Sequence, residues 1–383
     1  MKYILRHKNI DVAKIELQST GFSIKELTVL DPAHFPYGVE QTESGLREWW
    51  TYRNIPQTRE GILNYVMLSK SMRSVQELPL GTFGLNLSDQ YWLVPEKNAG
   101  RTWNELNFFD NDFSDKEGFL YSRITVGSRS ILPPDRSTSG NLPKRWIIEN
   151  GVRYLVKEGS RPYYEEAEGE KIATIVCRGL GINCIDYEVV ADYGVPASKC
   201  ACFVMPDTEL VAALEITFRT KKDNRQSYYE HSVKGFEQFG VENARRKIDE
   251  MIVLDYLIGN TDRHYYNFGA LRNADTLEPL GFAPIFDSGT CFWSNEATKN
   301  INAFGSGAYS DIASKPFRTM HGEQIKLVSD FSWFDPVRIE PLYSEIERVM
   351  SANEFTEPER IARKMKAFKA RVDKLAGIAS IKT

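Results

Sequence analysis

The chain has 383 residues, enough for two or three domains that each bury a core, and its 42% hydrophobic and 26% charged content is ordinary for a globular protein. A net charge of -4 gives no overall pull toward nucleic acid or anionic membrane, no window approaches the ~20 apolar residues of a membrane span, and the charged start Met1 to Lys8 is no signal peptide, so a soluble, cytoplasmic protein is predicted. The five cysteines form no paired C-x-x-C sets and read as reduced core thiols, not a zinc site.

In chain order, Ile10 to Leu17 and Phe22 to Leu30 read as short strands or strand–helix pieces. Leu46 to Pro56 reads as a helix stopped by its proline, with Trp49 and Trp50 in the core. Asn104 to Phe119 looks like an irregular connector docked by aromatics. Arg145 to Glu149, then Asn150-Gly151, then Val152 to Lys157 is a hairpin signal, since Asn-Gly supplies the positive φ of a type I′ turn. A helix is expected from Tyr164 to Leu180 with Gly181 as its C-cap, followed by strands over Cys184 to Asp192 and Ser198 to Met205. Pro206-Asp207 then reads as a hinge. Beyond it the chain turns helical, with a buried helix within Val241 to Gly259. In the last helix Thr356 and Glu359 read as a capping box, Pro358 suits the first turn, and Ile361, Met365, Phe368, Val372 and Leu375 form an apolar stripe ended by Gly377. The fold class read from this is α+β and bilobal, a strand-rich lobe followed by a helical one. It comprises an N-terminal α/β accessory region (1–117), a strand-rich N-lobe (118–207) and a helical C-lobe (208–383).

The strongest chemical signal is Gly259-Asn260-Thr261-Asp262-Arg263-His264-Tyr265-Tyr266-Asn267, followed twenty residues after Asn267 by Asp287 in Pro284-Ile285-Phe286-Asp287-Ser288-Gly289. An acid, an amide five positions later and a second acid beyond a hairpin-sized gap is how phosphoryl-transfer enzymes hold a hydroxyl and a magnesium ion. Asp262 can accept the proton of an attacking hydroxyl. Asn267 and Asp287 offer the hard oxygens that Mg²⁺ prefers, with ATP phosphates completing its shell. His264 is a second candidate base, although the commoner fate of such a histidine is to orient the loop. Arg263 can hold a neighbouring acid or phosphate, with solvent exposure the simpler account, and Asn260 is expected to shape the turn. Lys157 resembles a strand lysine that pairs with ATP phosphates, and it needs a carboxylate to fix its stem. Glu170 is favoured for that part over Glu165, Glu166 and Glu168. The alternative is that all four line a solvated helix N-terminus. Ser137 to Lys144, with Gly140 at its centre, offers small residues that let backbone N–H groups approach phosphate, though it is neither a G-x-G-x-x-G nor a Walker A loop.

At these residues the sequence resembles the HipA-like kinase family, relatives of the protein-kinase and phosphoinositide-kinase folds, over roughly residues 120 to 300. The resemblance implies Asp262 as the catalytic base, Asn267 and Asp287 as Mg²⁺ ligands, Lys157 at phosphate, and Ser139 and Gly140 to Lys144 over ATP. It also implies a serine or threonine acceptor on a protein, autophosphorylation at Ser137, Thr138 or Ser139, and an antitoxin partner; from the charge and hydropathy above, no direct contact to nucleic acid or membrane is predicted. The hinge stretch Ala201 to Asp207, in which Met205 is a cofactor-binding candidate, lacks the R-F-D-R sequence common in better-known members, and the first hundred residues differ from their usual N-terminal extension. The alternatives are a phosphoinositide or small-molecule kinase and a nucleotide-binding pseudokinase. The first would usually want a basic surface, and Arg219 to Arg225 and Arg245 to Lys247 read as short solvated faces.

Overall fold

A computed structural model describes residues 1–18, 22–59, 62, 74–113, 138, 140–301 and 311–382. Ser137, Ser139 and the end of the 104–119 connector lie outside them. The chain divides into two compact units, one of residues 1–157, 201–211 and 271–280, the other of residues 158–200, 212–270 and 281–383.

The first unit opens with β1 (Lys2–His7), β2 (Ile10–Leu17) and β3 (Ile24–Val29), helix α1 (Glu43–Tyr52), a 3₁₀ turn over Val75–Thr82, and β4 (Tyr91–Pro95). The four strands form an antiparallel sheet in the order β3-β2-β1-β4, with Leu5 opposite Ala13 and Leu93. Side chains alternate across a strand, so a strand buried on both faces must be apolar at successive positions. β1 meets that demand. Tyr3 and Leu5 pack with Ile15, Leu46 and Trp50 on one face, and Ile4 packs with Trp92, Val94, Trp103 and Phe108 on the other. Trp50 is therefore core as expected, while Trp49 is partly buried against the same cluster. The hairpin of β5 (Lys144–Glu149) and β6 (Val152–Glu158) is the one the Asn-Gly signal predicts, with φ of 52° at Asn150 and 79° at Gly151.

The second unit holds α2 (Glu166–Leu180), closed by Gly181 at φ 73°, and the hairpin of β7 (Glu188–Asp192) and β8 (Val195–Ala201). Next come β9 (Thr208–Ala212), α3 (Ala213–Phe218), α4 (Tyr228–Phe239), α5 (Ala244–Ile258), β10 (Gly269–Asn273), β11 (Pro279–Phe282), α6 (His321–Gln324), α7 (Tyr343–Ser351) and α8 (Pro358–Lys382). The segments 208–211, 271–273 and 279–280 of β9, β10 and β11 belong to the first unit. α5 is buried at every position from Ile248 to Ile258 and packs against α2, α4 and α8, so it is the central helix of this unit. The predicted stripe of α8 is buried at all five positions.

Two expectations for α8 are corrected. The helix does not stop at Gly377 but runs to Lys382, whose Nζ donates to the carbonyls of Lys326 and Val328 at 3.0 and 2.6 Å. The capping box is replaced by other bonds. Thr356 Oγ1 donates to Glu165 Oε1 at 3.2 Å, and Glu359 pairs with Arg363 one turn on. The solvated-terminus alternative for the acids of α2 is overturned too, since Glu165, Glu166, Glu168 and Glu170 are all buried.

Candidate active site

The site is built in the second unit from the C-terminal end of α5. Gly259 leaves the helix at φ 67°, a conformation glycine adopts without a Cβ penalty. Asn260 then folds the turn. Its Nδ2 donates to Asp255 Oδ1 at 2.9 Å, and its Oδ1 accepts the N–H of Asp262 at 3.1 Å. The carbonyl of Asp262 accepts both the His264 N–H at 2.8 Å and Asn267 Nδ2 at 3.0 Å. The spacing between the acid and the amide is thus fixed by a closed loop of hydrogen bonds, with the amide oxygen of Asn267 left to ligate.

Arg263 is not in solvent. It is fully buried, and its five N–H donors all have acceptors. Nε and Nη2 grip Asp255 at 2.9 and 3.0 Å, Nη1 reaches the carbonyls of Asn267 and Phe286 at 2.7 and 2.6 Å, and Nη2 also reaches Ser288 Oγ at 2.7 Å. One guanidinium therefore joins the central helix, the Asp262–Asn267 loop and the segment around Asp287. A further tie comes from the Thr261 N–H, which donates to the carbonyl of Thr290 at 3.0 Å.

Asp287 sits at φ 53°, where a non-glycine residue is uncommon and Asp is among the better tolerated. Its N–H donates to Tyr187 Oη at 3.2 Å. Just before it, Ile285 exchanges hydrogen bonds with Asn183 and Ile185, so the stretch leading to Asp287 lies along the segment that follows α2. Just after it, Gly289 meets α2 itself. A Cβ built on Gly169 would fall 2.7 Å from the Gly289 carbonyl oxygen, and one on Gly289 would lie 3.3 Å from Glu170 Cγ. Glu170 is therefore beside the Asp287 segment.

Asp262 is partly exposed, with Lys315 Nζ 2.7 Å from Oδ1 and His264 Nε2 3.9 Å from Oδ2. Desolvation holds His264 below the usual histidine range, outweighing the pull of Asp262 and Asp287. Its Nδ1 accepts the Tyr266 N–H at 3.3 Å, which places the ring proton on Nε2, facing Asp262. Lys315 does not figure in the sequence reading. It comes 53 residues after Asp262, and no local pattern marks it.

Four of the sequence-predicted residues, Asp262, His264, Asn267 and Asp287, share this centre with Glu170 beside it, whereas the other candidates belong to the first unit. Lys157 is the buried penultimate residue of β6, and Lys144 is the buried first residue of β5. Gly140 has φ 95°, and the space its Cβ would take is occupied by Lys144 Nζ. Arg59, a residue the sequence does not flag, donates to the carbonyls of Thr138 and Gly140, and Trp146 Nε1 donates to Thr138 Oγ1. Met205 is exposed.

Among the described residues no group of three or more His, Cys, Asp or Glu side chains is arranged for a metal ion. An amide and a carboxylate suit Mg²⁺ nonetheless, because that ion is commonly held by one or two carboxylates together with substrate phosphates and water. No helix among the described residues is long and apolar enough to cross a membrane.

No protein-family model matches the sequence, and none of the curated proteins matches it either. Solved structures do. HipA, from the toxin–antitoxin complex of HipA, HipB and operator DNA of Shewanella oneidensis MR-1, is 12% identical, with all of both chains covered and a TM-score of 0.54. The proinflammatory kinase CtkA of Helicobacter pylori is 18% identical over 62% of this chain and 94% of its own, with a TM-score of 0.48. The chain thus has an α+β, HipA-like kinase fold, as the sequence resemblance implies.

Proposed function

We propose that the protein is an ATP- and Mg²⁺-dependent phosphotransferase that acts on a serine or threonine hydroxyl of a protein. The observation that carries this reading is that one buried arginine, through the Asn267 and Phe286 carbonyls and Ser288 Oγ, ties the Asp262–Asn267 loop to the segment that carries Asp287. A fold shared with HipA does not specify an activity, but an acid, an amide and a second acid locked at fixed spacing are what phosphoryl transfer needs. Asp262 accepts the acceptor hydroxyl's proton. Asn267 and Asp287 hold the ion, which when bound neutralises charge on the phosphates. His264, bonded to the loop through its N–H and its Nδ1, shapes the loop and is not itself the base. Glu170 stands beside Asp287. Lys157, the Gly140 to Lys144 stretch and Met205 keep, as proposals, the nucleotide contacts that the resemblance implies. A regulatory partner of antitoxin type and self-phosphorylation in the stretch 137–139 belong to the same proposal. Within that stretch, Thr138 already has its hydroxyl engaged by Trp146.

The test is incubation with γ-labelled ATP, Mg²⁺ and host lysate, comparing wild type with Asp262→Asn, followed by mass spectrometry of the protein itself. Label on a protein acceptor with wild type alone is the expected result, with at least a ~10³-fold loss in the variant. Label on lipid or a small molecule would reassign the acceptor. Equal transfer by both proteins would remove Asp262 as the base.

A further inference from the structure

The structure assigns Lys315 as a positioning residue for the proposed transfer, one that holds Asp262 so that a single carboxylate oxygen faces the acceptor hydroxyl. This rests on the phosphotransferase reading above. The ammonium of Lys315 takes Asp262 Oδ1 at 2.7 Å, which leaves Oδ2, 3.9 Å from His264 Nε2 and so beyond hydrogen-bond distance of it, to receive the proton.

The anchor beneath Lys315 is what separates this contact from an ordinary surface ion pair. A pair between half-exposed side chains usually contributes little because both long stems must be ordered. Here the backbone is ordered in advance. Gln324, buried to 1% exposure, donates Nε2 to the Lys315 carbonyl at 2.8 Å, while its Oε1 accepts the N–H groups of Phe317 and Arg318 at 3.0 and 3.1 Å. Phe317 packs edge-on against Tyr229, Tyr265 and Phe268. His321 joins the same segment to the base of the loop, because its N–H donates to the Ile312 carbonyl and its Nε2 meets the Asn260 carbonyl at 2.8 Å. The lysine is thereby carried on a segment fastened to Asn260, whose side chain in turn holds the Asp262 N–H. The carboxylate is fixed from both ends.

A misplaced general base loses rate without losing nucleotide affinity, since substrate positioning within about 1 Å is worth about 10²-fold. Lys315→Ala should therefore lower kcat about 10- to 100-fold with KM for ATP changed by less than about twofold. Lys315→Arg, which keeps the cation, should fall nearer wild type. The thermal midpoint of each variant checks folding, and Lys315→Met, which keeps the stem, replaces the alanine variant should that one fail to fold. Wild-type kcat in Lys315→Ala or Lys315→Met, or a loss confined to KM, would overturn the assignment while leaving the transferase reading intact if Asp262→Asn is dead. A wild type that transfers no phosphate would overturn both.

Discussion

Arg263 shows how a single residue can set the geometry of a site without touching a substrate. A guanidinium is a rigid fork of five donors, and here two of them meet Asp255 of the central helix while the other three meet the Asn267 and Phe286 carbonyls and Ser288 Oγ. Lysine can supply the charge but not the fork. Arg263→Lys should leave Asp255 half-paired and the Phe286 carbonyl unmet, at a cost of about 3–5 kcal/mol, the usual penalty for breaking a buried pair. Arg363→Lys, at an exposed pair with Glu359, should change stability by less than about 0.5 kcal/mol. Denaturant titration of both variants checks this, and a loss below about 1 kcal/mol for Arg263→Lys would mean that the network is redundant. The Asp262–Asn267 spacing is legible in the sequence because it is a local property of one loop, closed by bonds within a few residues. The sequence misplaces Arg263 because burial of a charge is decided by its partners. Ser288, one of those partners, is 25 residues away.

At the scale of elements, two helical glycines make opposite predictions from the same substitution. Gly169 of α2 lies where a methyl group would come within 2.7 Å of the Gly289 carbonyl oxygen and 2.9 Å of Cys291 Sγ, so Gly169→Ala must push α2 away from the Asp287 segment. Overpacking of this kind costs about 1–3 kcal/mol. Gly377 of α8 has open space around its Cβ direction and a right-handed backbone, so Gly377→Ala should stabilise by about 0.5–1 kcal/mol through helix propensity alone. Thermal unfolding of the two variants should move in opposite directions, and loss of stability in Gly377→Ala would contradict the open environment. Gly377 also explains why the sequence ends the helix too soon. Glycine is a good C-cap signal, but it caps only when the chain turns left-handed there, as at Gly181 with φ 73°. Beyond Gly377 the buried Ala379 and the two bonds of Lys382 keep the last turns helical, and both depend on packing that sequence pattern does not report. The Asn-Gly hairpin and the α8 stripe are legible because each depends on a few adjacent residues.

At the scale of the whole chain, the second unit is closed by a buried ionic cluster that joins its beginning to its end. Glu165 accepts both arms of Arg360 at 2.7 Å and Lys364 Nζ at 2.6 Å, and Asn353 Nδ2 donates to Glu168 and to the Tyr163 carbonyl. These partners are 185 to 199 residues apart in sequence, which is why only the acids' presence, and not their burial, is legible beforehand. Arg360 and Lys364 both turn to Glu165, which leaves little to neutralise Glu168. Burial pushes Glu168 up to about 8, with Glu165 adding to the rise and Asn353 and Lys364 opposing it. The folded value lies above the unfolded value of 4.5, so the native state holds a proton that the unfolded chain has released. The resulting stability is complete below the unfolded value and is lost as pH rises toward the folded one, with a slope that approaches ~1.4 kcal/mol per pH unit between them. Glu168→Gln keeps the shape and the bond from Asn353 but cannot ionise. Its stability should therefore gain on wild type steadily from about pH 5 to pH 8, measured by denaturant titration at each pH. Parallel curves for the two proteins would show that Glu168 is ionised in the fold. In that case Lys364 would be shared between two carboxylates, and the α2 end of the cluster would depend on a charge balance that the Glu165–Arg360 pair alone does not supply.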